Sequence, residues 1–141
     1  MSKAAVIYWS GTGNTEAMAN AVVEGAKAKG AEVSLFTADE FDASMLDALD
    51  AVAFGCPAMG AEVLEEDEFE PMFASCEGKL GGKRIALFGS YGWGDGEWMR
   101  SWEERCTVDG AVFACDSVIC NEAPDDDALA SCRALGESIA D

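Results

Sequence analysis

The sequence contains no histidine, and its nine lysine and arginine residues are outnumbered by 27 acidic residues. Histidine is the usual acid or base near neutral pH and completes most serine and cysteine nucleophile systems, so we expect no triad hydrolase and no catalytic residues. The net charge of −18 argues against nucleic acid and anionic membranes as partners, because both repel an acidic surface. Basic protein partners are favoured instead.

The six cysteines include no Cys-x-x-Cys pair, which together with the missing histidine argues against zinc. Cys115 and Cys120 have the spacing that begins a plant-type iron–sulfur pattern, but Ala123 stands where the next cysteine belongs. We therefore predict no metal site and reduced, buried thiols. The sequence also lacks any apolar run of eighteen residues and any apolar leader before residue 4, which predicts a soluble cytoplasmic protein.

Short apolar segments alternate with helical patterns along the whole chain. The predicted strands are 4–9, 32–36, 51–54, 84–88 and 111–119, and the predicted helices are a stretch ending near residue 29, then 45–49, 68–76, 97–105 and 126–140. Parallel strands need crossover connections, and helices supply them here. The pattern predicts one doubly wound α/β domain over 1–141, with helices on both faces of a parallel sheet.

The loop after the first strand, residues 10–15, combines three hydroxyls, one amide, two glycines and the start of a helix, but no lysine or arginine. Backbone N–H groups at a helix N-terminus can hold a phosphate without a formal positive charge. An ordinary turn with an N-cap is the alternative. The loop lacks the third glycine of a dinucleotide fingerprint, and Gly82-Lys83 is followed by Arg84 rather than the serine or threonine of a P-loop.

Three segments together resemble the short-chain flavodoxins: Tyr8-Trp9-Ser10-Gly11-Thr12-Gly13-Asn14-Thr15-Glu16, then Gly55-Cys56-Pro57-Ala58-Met59-Gly60 followed by Glu62, and Leu87-Phe88-Gly89-Ser90-Tyr91-Gly92-Trp93-Gly94. The likeness extends over about 4–139. It implies a flavodoxin-like, five-stranded parallel sheet of order 2-1-3-4-5 that binds FMN without covalent attachment. No insertion of twenty residues interrupts 111–119, which suits the short-chain branch.

The resemblance also implies the cofactor-binding residues. The phosphate would be held by the loop residues Ser10, Gly11, Thr12, Gly13, Asn14 and Thr15. The ribityl chain and the ring would be lined by Pro57, Ala58, Ser90, Tyr91 and Asn121, with Glu62 at ring N3–H and backbone groups of Gly92 and Trp93 at the pyrimidine edge. Met59 and Trp93 would cover opposite faces of the ring, and the carbonyl of Gly60 would meet ring N5.

These residue types suit a flat, apolar ring system, because an indole and a thioether can sandwich it and exclude water. For Trp93 and Met59 alone, plain packing is the alternative, and Trp9, Trp98 and Trp102 are assigned to the core. A type II turn after Gly60 would require positive φ at Ala61. We therefore predict that Ala61→Gly stabilises the semiquinone.

The implied function is low-potential transfer of single electrons through the semiquinone/hydroquinone couple, by a carrier rather than an enzyme. The expected partners of this monomer are ferredoxin- or flavodoxin-dependent oxidoreductases with basic docking faces. The carboxylates between residues 62 and 70 would attract them, although a solvated helix start explains the same charges. Two other functions remain open: an FMN-dependent reductase with its own substrate, and a phospho-accepting receiver domain, which needs an aspartate where Gly55-Cys56-Pro57 stands.

Overall fold

The computed structural model describes residues 2–60 and 62–140. Its strands form one sheet in the order β2-β1-β3-β4-β5, with β6 also paired to β4, and every pairing within the sheet is parallel. This confirms the predicted order 2-1-3-4-5. The strands are β1 Lys3–Tyr8, β2 Glu32–Thr37, β3 Ala51–Gly55, β4 Arg84–Tyr91, β5 Val112–Phe113 and β6 Val118–Asn121.

The predicted fifth strand differs from the structure, because it is broken into β5 and β6 by residues 114–117. β5 pairs with the beginning of β4 and β6 with its end. In the gap, the N–H of Ala114 still donates to the carbonyl of Ile85 at 2.8 Å, and the hydroxyl of Ser117 donates to the carboxylate of Glu103 on α3 at 2.7 Å. The interruption is far shorter than a twenty-residue insertion.

Helices cover both faces of the sheet. They are α1 Asn14–Ala28, α2 Phe69–Cys76, α3 Glu97–Val108 and α4 Asp126–Ala140. Helices α1 and α4 pack over one apolar cluster, and α2 and α3 over the other. The short helix predicted at 45–49 is instead a 3₁₀ segment, Ala43–Ala48, which begins where the Asp42 carboxylate accepts the N–H of Ser44.

Helices α1 and α4 touch through their backbones. A Cβ atom placed on Gly25 would lie 1.9 Å from the carbonyl oxygen of Arg133, and one on Gly136 would lie 1.9 Å from that of Val22. Only glycine fits at these two positions, since neither helix can move aside without losing its packing on the sheet. The contact fixes the position of α1 and therefore of the loop at its N-terminus. None of the helices in the described part of the chain is long and apolar enough to cross a membrane.

Candidate functional site

A cavity of about 400 Å³ opens at the carboxyl ends of β1, β3 and β4. Ligands of parallel α/β sheets bind at this edge, and the volume lies within the range of cofactor pockets. Apart from Trp9 and Glu122, every residue on the cavity wall belongs to the predicted cofactor-binding set. The wall comprises Trp9, Gly11, Thr12, Asn14, Pro57, Ala58, Met59, Ser90, Tyr91, Gly92 and Glu122.

The loop of residues 10–15 presents the N-terminus of α1 to this cavity. Gly13, with φ +96°, is the residue before the helix, and no side-chain hydrogen bond caps α1 there. The hydroxyl of Ser10 accepts the N–H of Gly13 at 3.0 Å, which shapes the loop. The first N–H groups of α1 are thus available to an anion, and the helix dipole favours one.

The hydroxyl groups of Thr15 and Ser90, both predicted to bind the cofactor, contact each other. The Thr15 side chain is 1% exposed, and its oxygen lies 3.3 Å from the hydroxyl oxygen of Ser90 on β4. Ser90 lies on the cavity wall, whereas Thr15 lies behind it. The pair therefore ties the phosphate-side loop to the loop after β4.

The loop after β3 is a small hairpin. Met59 and Val63 exchange two N–H···O bonds of 2.9 Å, and the N–H of Ala58 donates to the carbonyl of Ser90 at 3.1 Å. Gly60 lies exposed at the tip with φ +47°. Ala61, for which we predicted a positive φ, lies outside the described residues. The hairpin brings Met59 to the cavity wall.

Glu62 binds a protein group in this structure. Its backbone has φ +55°, and its Oε1 accepts the N–H of Glu97, at the first turn of α3, at 3.1 Å. Gly94 has φ +82°, which favours glycine, and a Cβ atom there would lie 2.5 Å from that oxygen and displace the Glu62 carboxylate. The side chain lines a neighbouring cavity of about 360 Å³ with Trp98 and Trp102. Its predicted role at ring N3–H stays a prediction.

Trp93 and Asn121 also lie away from the main cavity wall. Trp93 is 54% exposed, in a loop between Gly92 and Gly94, as expected for a displayed rather than a core indole. Asn121 lines a separate cavity of about 390 Å³ near the start of α4. Met59 thus lines the cavity and Trp93 does not, and their predicted places on opposite faces of a ring stay a prediction.

Sequence reasoning missed two residues of the cavity wall. Trp9 was assigned to the core, yet it is only half-buried and lies on the wall. Its position directly between β1 and the phosphate loop is the signal that could have found it. Glu122 has φ +58°, which is uncommon outside glycine, and its N–H donates to the carbonyl of Tyr91 at 2.7 Å. No sequence pattern indicates that conformation.

The acidic run from residue 62 to 70 has mostly internal roles. Glu65 is 6% exposed, and its carboxylate accepts the N–H groups of Asp67, Glu68 and Phe69, each at 2.8 Å. Burial alone opposes ionisation, but these donors outweigh it and lower the pKa of Glu65. Glu70 forms an ion pair with Arg105 at 2.6 Å. Fewer of these carboxylates are therefore free for docking than the sequence alone suggests.

The geometry fits FMN and does not fit a receiver domain. The loop of residues 10–15, which has no cation, adjoins a wall that contains proline, alanine, methionine and aromatic side chains. Within residues 2–60 and 62–140 no three metal-ligating side chains are grouped to hold an ion. β3 ends at Gly55, and the acceptor aspartate that a receiver domain needs after this strand is replaced by Cys56 and Pro57.

Comparisons with known proteins agree with the site. A family model described as Flavodoxin matches residues 6–136. The chain is 45% identical to a flavodoxin of Megasphaera elsdenii over 96% of both chains, and 44% identical to one of Clostridium beijerinckii over 96% of this chain and 97% of that one. The solution structure of two-electron reduced Megasphaera elsdenii flavodoxin superposes with a TM-score of 0.89 and 44% identity, over 97% of this chain and 98% of that chain. The chain belongs to the flavodoxin family of FMN-binding electron carriers.

Proposed function

We propose that FMN binds in the 400 Å³ cavity with its phosphate at the start of α1. The observation that carries this assignment is the uncapped N-terminus of α1 opening into the cavity between β1 and β3. The bound flavin supplies one-electron chemistry, and the protein supplies binding, orientation and exclusion of water. Thr12 and Asn14 add a hydroxyl and an amide to the N–H groups of Ser10, Gly11 and Thr15, while the bond from the N–H of Gly13 to the Ser10 hydroxyl shapes the loop.

The ring end of FMN is assigned to the two loops after β3 and β4. Pro57, Ala58 and Met59 form an apolar wall, and Ser90, Tyr91 and Gly92 face them. The roles of Gly60, Glu62, Trp93 and Asn121 rest on the family resemblance. Such a wall excludes water from the ring and disfavours an extra negative charge on it, which keeps the reduction potential low.

A bulky side chain in the cavity tests this location. Ala58→Trp should fill the apolar wall and abolish quenching of FMN fluorescence in a titration. Ala134→Trp is the matched control, because Ala134 is exposed on α4 beside a different cavity. An Ala58→Trp protein that folds, by circular dichroism, and binds FMN like the control would contradict the assignment.

We infer that the redox partners are ferredoxin- or flavodoxin-dependent oxidoreductases with basic docking faces. The net charge of −18 supports this inference, as do the exposed Trp93 and the exposed Glu66 and Asp67 beside the loop after β3. Complementary charge accelerates encounter and is screened by salt. Electron transfer to a cytochrome of net positive charge should slow with added salt and with Glu66→Lys. Glu104→Lys makes the same charge change near the C-terminal end of α3 and should slow electron transfer less. Equal slowing by the two variants would contradict a local docking face.

We also infer that the chain functions in the cytoplasm, as a single domain and a monomer. All six cysteines are unpaired, which is typical of a reducing compartment. The two apolar clusters share one sheet, which supports a single domain. Light scattering tests the monomer, and a concentration-independent mass of twice the chain would contradict it.

A further inference from the structure

The indole of Trp9 links the phosphate loop to the segment before α2. Its backbone N–H donates to the carbonyl of Gly55 at 3.0 Å, which continues the pairing of β1 with β3. A Cβ atom on Gly11 would lie 3.0 Å from Cη2 and 3.3 Å from Cζ3 of this indole. The six-membered ring of Trp9 therefore lies directly against the backbone of the phosphate loop.

The opposite edge of the same indole is held by a carboxylate. Nε1 of Trp9 donates to Oε1 of Glu68 at 3.0 Å, although the two residues are 59 positions apart. Glu68 is itself positioned, because its N–H donates to the buried carboxylate of Glu65 at 2.8 Å. The indole is thus clamped between Gly11 on one side and Glu68 on the other.

Trp9 lies between two cavities. Trp9 and Gly11 line both the cavity that we assign to FMN and a second cavity of about 510 Å³, whose lining also includes Ser10, Gly13, Glu16, Asp39 and Glu68. The indole therefore forms one part of the boundary between the phosphate loop and three acidic residues. On the FMN side it keeps water from the loop N–H groups that it covers, which strengthens their hydrogen bonds to an anion, and it distances the anion from those acidic residues.

We propose that Trp9, oriented by Glu68, is the side wall that closes the phosphate end of the FMN cavity. This inference rests on the proposed position of FMN and adds a positioning pair to it. Trp9 acts as a wall rather than as a donor to the phosphate, because its one N–H group is already bound to Glu68. Glu68 has two opposing effects on FMN: it orients the indole, and its charge repels the phosphate.

Riboflavin has the ring and the ribityl chain of FMN but no phosphate. Comparing the two flavins therefore distinguishes a loss of phosphate binding from a general loss of binding in the cavity. In fluorescence titrations, Trp9→Ala should weaken FMN binding by about tenfold or more, because the loop N–H groups lose their shielding. Riboflavin binding should weaken by less than about threefold, because the ring side is unchanged. Circular dichroism and the thermal midpoint establish that the variant is folded. Equal losses for both flavins would overturn the proposal.

The role of Glu68 requires two substitutions. Glu68→Gln removes the charge but keeps an oxygen that can accept from Nε1, whereas Glu68→Ala removes both. FMN should therefore bind to Glu68→Ala about threefold or more weakly than to Glu68→Gln, and Trp9→Phe should resemble Glu68→Ala. Glu104→Ala, at an exposed carboxylate on α3 away from the cavity, is the control and should match the unaltered protein. Equal affinities of the two Glu68 variants would overturn the orienting role.

The outcomes separate this inference from the proposed function. If the unaltered protein bound FMN no more tightly than riboflavin, the phosphate site itself would be contradicted, and the wall with it. If the unaltered protein bound FMN more tightly than riboflavin and Trp9→Ala bound FMN with the same affinity, the role of Trp9 would be contradicted and the proposed phosphate site would stand.

Discussion

The cavity that we propose for FMN has two halves, which are built in different ways. The half proposed for the phosphate, residues 10–15, is the end of a helix that is fixed by backbone contact with another helix. The half proposed for the ring, residues 57–60, 62–64 and 92–96, consists of loops that are held by a few hydrogen bonds and contains Glu62, a non-glycine residue at positive φ. Such backbone costs energy and persists only where its surroundings hold it. In the proposed assignment, the phosphate is therefore held by the rigid half and the ring by the half with a strained backbone.

The largest expected effect comes from breaking the rigid half. Gly25→Ala places a methyl group 1.9 Å from the carbonyl oxygen of Arg133, so α1 and α4 must separate. We expect the free energy of unfolding to fall by about 3 kcal/mol in urea denaturation, the upper range for overpacking. Gly78→Ala, at a glycine with open space and ordinary φ, is the control and should be nearly neutral. Similar losses for both variants would contradict a close helix contact.

The second prediction concerns the buried carboxylate of Glu65, which follows the ring half in sequence and anchors the segment at the start of α2. Glu65→Ala leaves three N–H groups at the start of α2 without their acceptor, and we expect a loss of about 2 kcal/mol of unfolding free energy at pH 7. Glu66→Ala, whose side chain is exposed, should change stability little. A loss no larger than that of Glu66→Ala would contradict the anchoring role.

The same carboxylate predicts a pH dependence. Because the folded pKa of Glu65 is lowered, its contribution is present above the unfolded pKa of about 4.3 and is lost as the pH falls through the folded pKa. The difference in unfolding free energy between the unaltered protein and Glu65→Ala should therefore shrink between pH 6 and pH 3. A constant difference would show that packing, not charge, holds this segment.

The contrast between the halves also explains how far the sequence predicts the site. The phosphate half follows from local pattern, since Gly13 and the start of α1 are adjacent in sequence. The ring half depends on contacts between distant residues, such as Glu62 with Glu97 and Ala58 with Ser90, and no spacing reveals these. The same holds for the contact of Trp9 with Glu68 at the phosphate end. Likewise, alternation of apolar segments predicted the parallel sheet and the flavodoxin resemblance supplied its strand order, but neither predicted the break in the fifth strand, where Ser117 forms a tertiary bond with Glu103.

The third prediction concerns the charge of Glu62 in the ring half. Glu62→Gln keeps an acceptor oxygen for the N–H of Glu97 but removes a charge beside the ring half. If this carboxylate lies near the ring, the reduced and more negative flavin should bind relatively more tightly to the variant. We expect the lower reduction potential to rise by about 30–60 mV, which corresponds to up to about tenfold in relative affinity. Glu104→Gln, on α3 away from the cavity, should leave both potentials unchanged, and an equal shift there would indicate net charge rather than position.

The smallest expected effect lies at the amino edge of the sheet, opposite the cavity. Asp109 directly follows α3. The next residue, Gly110, accepts the N–H of Gly82 with its carbonyl oxygen at 2.9 Å, close to where β4 and β5 begin. Burial, and then the nearby Glu77 carboxylate, raise the pKa of Asp109 to about 6. A raised carboxyl pKa favours the folded protein while the group is neutral, and this advantage is lost as the pH rises through 6.

Asp109→Asn should therefore stabilise the protein by about 1 kcal/mol at pH 8 and by almost nothing at pH 4, measured by urea unfolding. Asp116→Asn, an exposed site, serves as the control. FMN affinity should be unchanged in both variants, because neither residue lies on the cavity wall. Stabilisation that is equal at the two pH values would exclude titration of Asp109 as its cause, and altered FMN affinity would show that the two edges of the sheet are coupled.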